Sequence, residues 1–151
     1  MRILNKQIEQ GDTIGIIGGG QLGQMLAFSA KAAGMKVIVL DPDPQCPTGQ
    51  ACDRQIVAPY DDVNAIQQLA YEADVLTYEF ENVDLDALDA VKDVVSIPQG
   101  TELLRITKDR IREKTFLKEH GFQTAKFAAI NSAQDFEDEL KRIGFPCYLK
   151  T

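Results

Sequence analysis

The sequence is short of positive charge, histidine and long apolar runs, and each shortage argues against a class of function. Its 16 lysines and arginines are outnumbered by 23 aspartates and glutamates, for a formal net charge of −7. A broad basic face for DNA or RNA is therefore not expected, although a local anion site is compatible with this balance. No apolar stretch approaches the roughly 20 residues that cross a bilayer. Residues 1–11 contain no apolar core of a signal peptide. The expectation is a cytoplasmic protein with neither a nucleic-acid nor a membrane partner. The cysteines, Cys46, Cys52 and Cys147, fit neither a zinc spacing nor a CxxC redox motif. In a reducing compartment they read as free thiols, with Cys147 a small core residue in an apolar run. The single histidine, His120, ends a charged helix, where a cation is favoured, and reads as structural. There is no internal repeat and no low-complexity segment.

What is present is globular. The 151 residues are 44% hydrophobic, enough for one core, or for a domain plus part of another. Thr13 to Gly18 reads as a buried strand, and a glycine loop leads from it into a helix over Gln21 to Ala33. Leu22, Met25, Leu26, Ser29 and Ala33 share one face of that helix and are expected to be its inner face. Gly34 closes it. Lys36 to Asp41 is a second strand, and the proline-rich stretch from Pro42 to Gly49 is a loop. A strand over Arg54 to Ala58 and a helix over Asp62 to Glu72 follow, the helix burying Ile66, Leu69 and Ala70. Then come a strand over Asp74 to Tyr78, a short helix over Leu85 to Val91, and a fifth strand over Asp93 to Ile97. This alternation predicts an α/β fold, a doubly wound parallel sheet with helices on both faces.

The pattern then changes. Helices are predicted over Thr101 to Arg105 and Thr107 to His120, the latter held by Phe116 and Leu117. A strand-like segment runs from Thr124 to Ile130. Ser132 resembles an N-cap before a helix over Phe136 to Ile143, and Cys147 to Thr151 reads as a further strand. From about Thr107 the chain reads as an incomplete second domain.

The loop Gly18-Gly-Gly-Gln-Leu-Gly23 matches G-x-G-x-x-G between a strand and a helix. Glycines there permit unusual backbone angles and close approach of a phosphate to free helical N–H groups. Asp41, at the end of the second strand, is where dinucleotide enzymes hold a ribose diol. A nicotinamide or flavin module is therefore one reading, and glycines that merely allow tight packing are another. Against a dinucleotide, Pro42-Asp43-Pro44 crowds negative charge where adenosine would lie, and no hydride-transfer residues are recognisable.

Five motifs occur in a telling order. They are Gly18-Gly-Gly-Gln-Leu-Gly-Gln-Met-Leu26, Asp41-Pro-Asp-Pro-Gln-Cys-Pro47, Thr77-Tyr-Glu-Phe-Glu-Asn-Val83, Asp109-Arg-Ile-Arg-Glu-Lys-Thr-Phe-Leu117 and Gly144-Phe-Pro-Cys-Tyr-Leu-Lys150. Together they resemble the purine carboxylases and transformylases of the ATP-grasp superfamily. Glu-Phe-Glu-Asn-Val with Gln-Leu-Gly points to the carboxyaminoimidazole ribonucleotide synthetase branch.

The resemblance implies a Rossmann-like pre-ATP-grasp domain over 1–103, then a linker helix and the start of an α+β ATP-grasp domain over 104–151. It implies ATP-dependent carboxylation of 5-aminoimidazole ribonucleotide by bicarbonate, through carboxyphosphate, in a homodimer. Magnesium ligands, the glycine-rich lid and the adenine-reading strand are expected beyond Thr151, so no catalytic residue is assigned and the chain alone is expected to be inactive. Matched residue by residue, Arg110 and Lys150 would contact ATP phosphates, a role suited to cations. Gly20, Gln21, Leu22 and Glu79 would contact the ribonucleotide. Each has a plainer reading. Arg110 also reads as a solvated helix charge among Lys108, Arg112 and Lys114, and Glu79 as a helix-start residue. Glu81 and Asn82 read as caps of the following helix. Tyr60, Tyr71 and Tyr78 read as packing. A formate-using transformylase is the nearest alternative, and Gln21 in place of its glutamate argues against it.

Overall fold

The computed structural model describes residues 7–150. They form two compact units that divide between Arg105 and Ile106.

The first unit is built on four parallel strands. These are β1 (Thr13–Ile17), β2 (Lys36–Leu40), β3 (Arg54–Ile56) and β4 (Val75–Tyr78), in the order β3-β2-β1-β4. Four helices accompany them: α1 (Gln21–Ala32), α2 (Val63–Glu72), α3 (Leu85–Val91) and α4 (Glu102–Thr107), the last running across the division. Strand side chains alternate between faces, and the core divides accordingly. Ile14, Ile16, Val37 and Val39 bury against Ala27 and Ala30 of α1. Ile17, Ile38, Leu40 and Leu76 bury against Ile66, Leu69 and Ala70 of α2 and Leu88 and Val91 of α3. Helices on both faces of a parallel sheet make the doubly wound α/β class.

Caps set the helix starts. The Asp62 carboxylate accepts from the amides of Asn64 and Ala65, and Asp84 accepts from Ala87. Each such cap contributes about 1 kcal/mol. Asp84, rather than Glu81 or Asn82, therefore starts α3.

Further expectations for this unit are corrected. First, the inner face of α1 is Gly23, Ala27 and Ala30, while Leu22 and Met25 are 66% and 65% exposed. The helical period is as expected, but its phase is set by small residues that let the helix lie close on β1 and β2. Second, β3 stops at Ile56. Third, residues 93–97 contribute only one parallel bridge, Val75 to Ser96, with Leu76 donating to the Ser96 carbonyl. Val94 and Val95 are instead turned into a helical hydrogen-bond pattern on Val91. Tyr71 is also exposed.

The second unit holds α5 (Arg110–Glu119) and α6 (Ala133–Ile143). Asp109 caps α5 through the amides of Ile111 and Arg112, so that helix starts later than its charge pattern predicts. Ser132 caps α6 as expected. His120 is the C-cap of α5, where its ring stacks on Phe116 at 4.0 Å. Neither 124–130 nor 147–150 is a strand, because no described segment pairs with them; Thr151 lies outside the described residues. Cys147 is exposed rather than buried.

No helix among the described residues is long and apolar enough to cross a membrane.

Candidate functional site at the head of the sheet

The order β3-β2-β1-β4 contains a reversal. The chain moves outward from β1 to β3, then returns to place β4 on the other side of β1. Such a switch point opens a crevice at the carboxyl ends of the strands it separates, where doubly wound sheets bind ligands. Ile17 and Tyr78 are partners in register, so the residues that follow them, Gly18 and Glu79, emerge side by side. Two sequence motifs 59 residues apart at Gly20 and Glu79 thereby meet.

A pocket of about 320 Å³ occupies this crevice. Gly19 and Gly20 form one wall and Glu79 and Phe80 another; Asp41, Asp43, Cys46, Pro47 and Tyr60 complete it. Phe80 meets the Tyr60 ring edge-on at 4.5 Å. Three carboxylates and no cation line the cavity.

The glycine amides of the loop are already engaged. Glu79 accepts through Oε1 from Gly20 N at 2.7 Å and through Oε2 from Gly23 N at 2.5 Å. Asp41, buried, accepts from Gly19 N at 2.6 Å, from Asp43 N at 2.8 Å and from the Tyr60 hydroxyl. Burial, then the Asp41 hydrogen bond, pushes the Tyr60 phenol far up, so it stays a donor at neutral pH. Glycine is required in two places. Gly18 has φ +111°, and a Cβ there would also overlap Glu79; a Cβ on Gly19 would overlap the Cys46 sulfur and lie 2.7 Å from the Asp41 carboxylate.

The loop after β2 fastens the glycine loop from the other side. Thr48, completely buried in a short 3₁₀ turn over Thr48–Gln50, donates its hydroxyl to the Gly20 carbonyl at 3.0 Å. Its amide donates to Gly19 O at 2.9 Å. Gln24 reaches back to Pro47 O at 2.8 Å. Burial raises the Cys46 thiol pKa, which leaves it an inert thiol rather than a nucleophile.

Of the residues singled out from sequence, Gly20 and Glu79 are brought together at this pocket. Gln21 and Leu22 open α1 with exposed side chains and do not line it. Arg110 and Lys150 belong to the second unit, both exposed, and Arg110 pairs with Glu113 at 2.6 Å. Thr48, Tyr60 and Phe80 went unrecognised as site residues. Only Phe80 had a signal, its place in the Glu-Phe-Glu-Asn-Val motif. Among the described residues no group of three or more His, Cys, Asp or Glu side chains could hold a metal ion.

The first unit is thus a Rossmann-like α/β domain whose glycine loop is tied to a carboxylate from the strand across the switch point. Residues 12–108 match the family model for the ribonucleotide synthetase preATP-grasp domain, and the chain belongs to that family. It is 45% identical over 149 residues to the N5-carboxyaminoimidazole ribonucleotide synthase of Bacillus subtilis, covering 98% of this chain and 39% of that protein. An ADP complex of N5-carboxyaminoimidazole ribonucleotide synthetase superposes with a TM-score of 0.89 at 42% identity, over 94% of this chain and 38% of that one. The Aspergillus clavatus synthase, solved with ADP and 5-aminoimidazole ribonucleotide, gives 0.81 at 31% identity over 91% and 37%. The chain thus spans about two fifths of the length of these relatives.

Proposed function

We propose that this chain is the N-terminal portion of an ATP-dependent ligase that carboxylates 5-aminoimidazole ribonucleotide, a step of purine biosynthesis. The observation that carries the reading is 45% identity to a named synthase across 98% of the chain. The reaction joins bicarbonate to the exocyclic amine as a carbamate while ATP becomes ADP and phosphate. The residues described here would contribute binding. Glu79 retains lone pairs beyond those used by Gly20 and Gly23 and can accept from a ribose hydroxyl or the amine. Gly20, Gln21 and Leu22 complete the proposed ribonucleotide contacts.

Arg110 and Lys150 are proposed to meet the ATP phosphates. Both are exposed cations, as that role requires, and Arg110 would exchange Glu113 for phosphate. Magnesium, which neutralises phosphate charge in such reactions, would be held by residues beyond this chain. The pre-ATP-grasp domain is taken as 1–103 and the start of the ATP-grasp domain as 104–151, in a cytoplasmic homodimer.

The test is amide chemical shifts of isotope-labelled chain, titrated with 5-aminoimidazole ribonucleotide and, separately, with NADH. Saturable shifts at Gly20 and Glu79 with the ribonucleotide, and none with NADH, are expected. Shifts at Gly18 to Gly23 and Asp41 with NADH alone would return the oxidoreductase reading, and silence with both ligands would mean that binding requires the part of the protein outside this chain.

A further inference from the structure

The backbone at the head of α1 has the form of an anion receptor, yet its donors point at carboxylates of the chain itself. Gly19 N, Gly20 N and Gly23 N are all within 2.7 Å of an oxygen of Asp41 or Glu79. Asp41 is fixed in turn by Tyr60 and Asp43, so it cannot leave without unmaking the loop. Glu79 is the half-buried member, and its carboxylate stands over Gly20 N and Gly23 N at a helix N-terminus, where a phosphate would otherwise approach.

We propose that Glu79 is a specificity determinant that closes the glycine loop to phosphate groups, so that the pocket accepts the hydroxyl- and amine-bearing part of a ligand. This deepens the function proposed above and rests on it only for the identity of that ligand. A phosphate entering the crevice would meet Asp41, Asp43 and Glu79 with no cation in the lining and would find no unengaged amide at Gly19, Gly20 or Gly23. A hydroxyl or amine brings a proton, and Glu79 can accept it without releasing Gly20 or Gly23. The same geometry explains why a loop matching the dinucleotide fingerprint would refuse a dinucleotide: carboxylates of the chain itself already hold the amides of Gly19, Gly20 and Gly23.

The experiment compares the full chain with Glu79→Ala and Glu79→Ser, using inorganic pyrophosphate as the probe and the Gly20 and Gly23 amide shifts as the readout. The unsubstituted chain is expected to show no saturable change at millimolar pyrophosphate. Glu79→Ala is expected to gain affinity by about tenfold or more, the worth of one charge-assisted hydrogen bond. Retained dispersion at Gly19, held by Asp41, reports that the loop is still folded. Should Glu79→Ala lose that dispersion, Glu79→Ser, which likewise vacates the position over Gly20 and Gly23, is expected to show the same gain. Equal affinity in variant and unsubstituted chain, or no pyrophosphate binding by a folded variant, overturns the proposal. Because the probe is not a ribonucleotide, either outcome is separate from the ribonucleotide titration.

Discussion

Thr48 offers the sharpest test of how the glycine loop is held. Thr48→Val keeps the shape of a fully buried side chain and removes one hydroxyl, which donates to Gly20 O at 3.0 Å. Gly20 O also accepts the first helical bond of α1, from Gln24 N at 3.0 Å, so the substitution does not orphan a buried acceptor. The cost is then a net hydrogen bond, about 1 kcal/mol, rather than a full desolvation penalty of up to about 3 kcal/mol. Thr48→Ser keeps the hydroxyl but deletes a buried methyl, at about 0.8 kcal/mol. By stability alone the two variants should look alike, each lowering the urea midpoint of the first unit by about 0.3–1 M. They should separate in the loop itself. Thr48→Val should move the Gly20 and Gly23 amide resonances and weaken ribonucleotide binding, whereas Thr48→Ser should leave both near their original values. Equal displacement of these amides by serine and valine would refute the reasoning, since the methyl, not the hydroxyl, would then be holding the loop.

Two further outcomes follow from packing and charge. A Cβ on Gly15 would lie 3.0 Å from both Ala73 Cβ and Leu76 Cδ1 and 3.1 Å from Leu69 Cγ, so Gly15→Ala should destabilise the first unit by about 1–3 kcal/mol through overpacking between β1 and α2, read by urea unfolding. Asp89 receives the Thr101 hydroxyl at 2.8 Å and Arg105 at 2.7 Å, and these two partners hold its pKa below the ordinary value of 3.8. Because the folded-state pKa is depressed, the stabilisation is complete above 3.8 and is lost as pH falls through the lower, folded value. Asp89→Asn should therefore flatten the acid limb of the urea midpoint measured against pH. An unchanged acid limb would show that the Asp89 contacts do not couple to folding.

The architecture of the first unit was largely legible because its signals are local. Apolar runs at β1 and β2, a glycine loop between strand and helix, and Asp62 ahead of α2 each act within a few residues. The phase of α1 was not legible. Leu22, Met25 and Leu26 form the more apolar stripe, and a rule that buries the most apolar face chooses it. The sheet instead selects the face whose small residues permit close approach, with Gly23, Ala27 and Ala30 turned inward. The expected strands at 93–97, 124–130 and 147–151 show the other limit. A strand is made by its neighbours, and local composition cannot supply a partner.

The site divides along the same line. Gly20 and Glu79 could be named from motifs, but their meeting depends on the pairing of Ile17 with Tyr78, a fact of sheet order that neither motif contains. Thr48 had no signal at all, since a threonine inside a proline-rich loop reads as a turn residue. Its role exists only because that loop folds back over Gly19 and Gly20. This is also why the glycine fingerprint was ambiguous. A strand, a glycine turn and a helix N-terminus specify donors and nothing more. What those donors bind is decided by the side chain that the strand across the switch point delivers to them. In this chain β4 delivers Glu79 to Gly20 and Gly23, and on the proposal above it turns a receptor for phosphate into an acceptor for hydroxyl and amine. On that proposal the specificity of the loop resides in a residue 59 positions beyond Gly20.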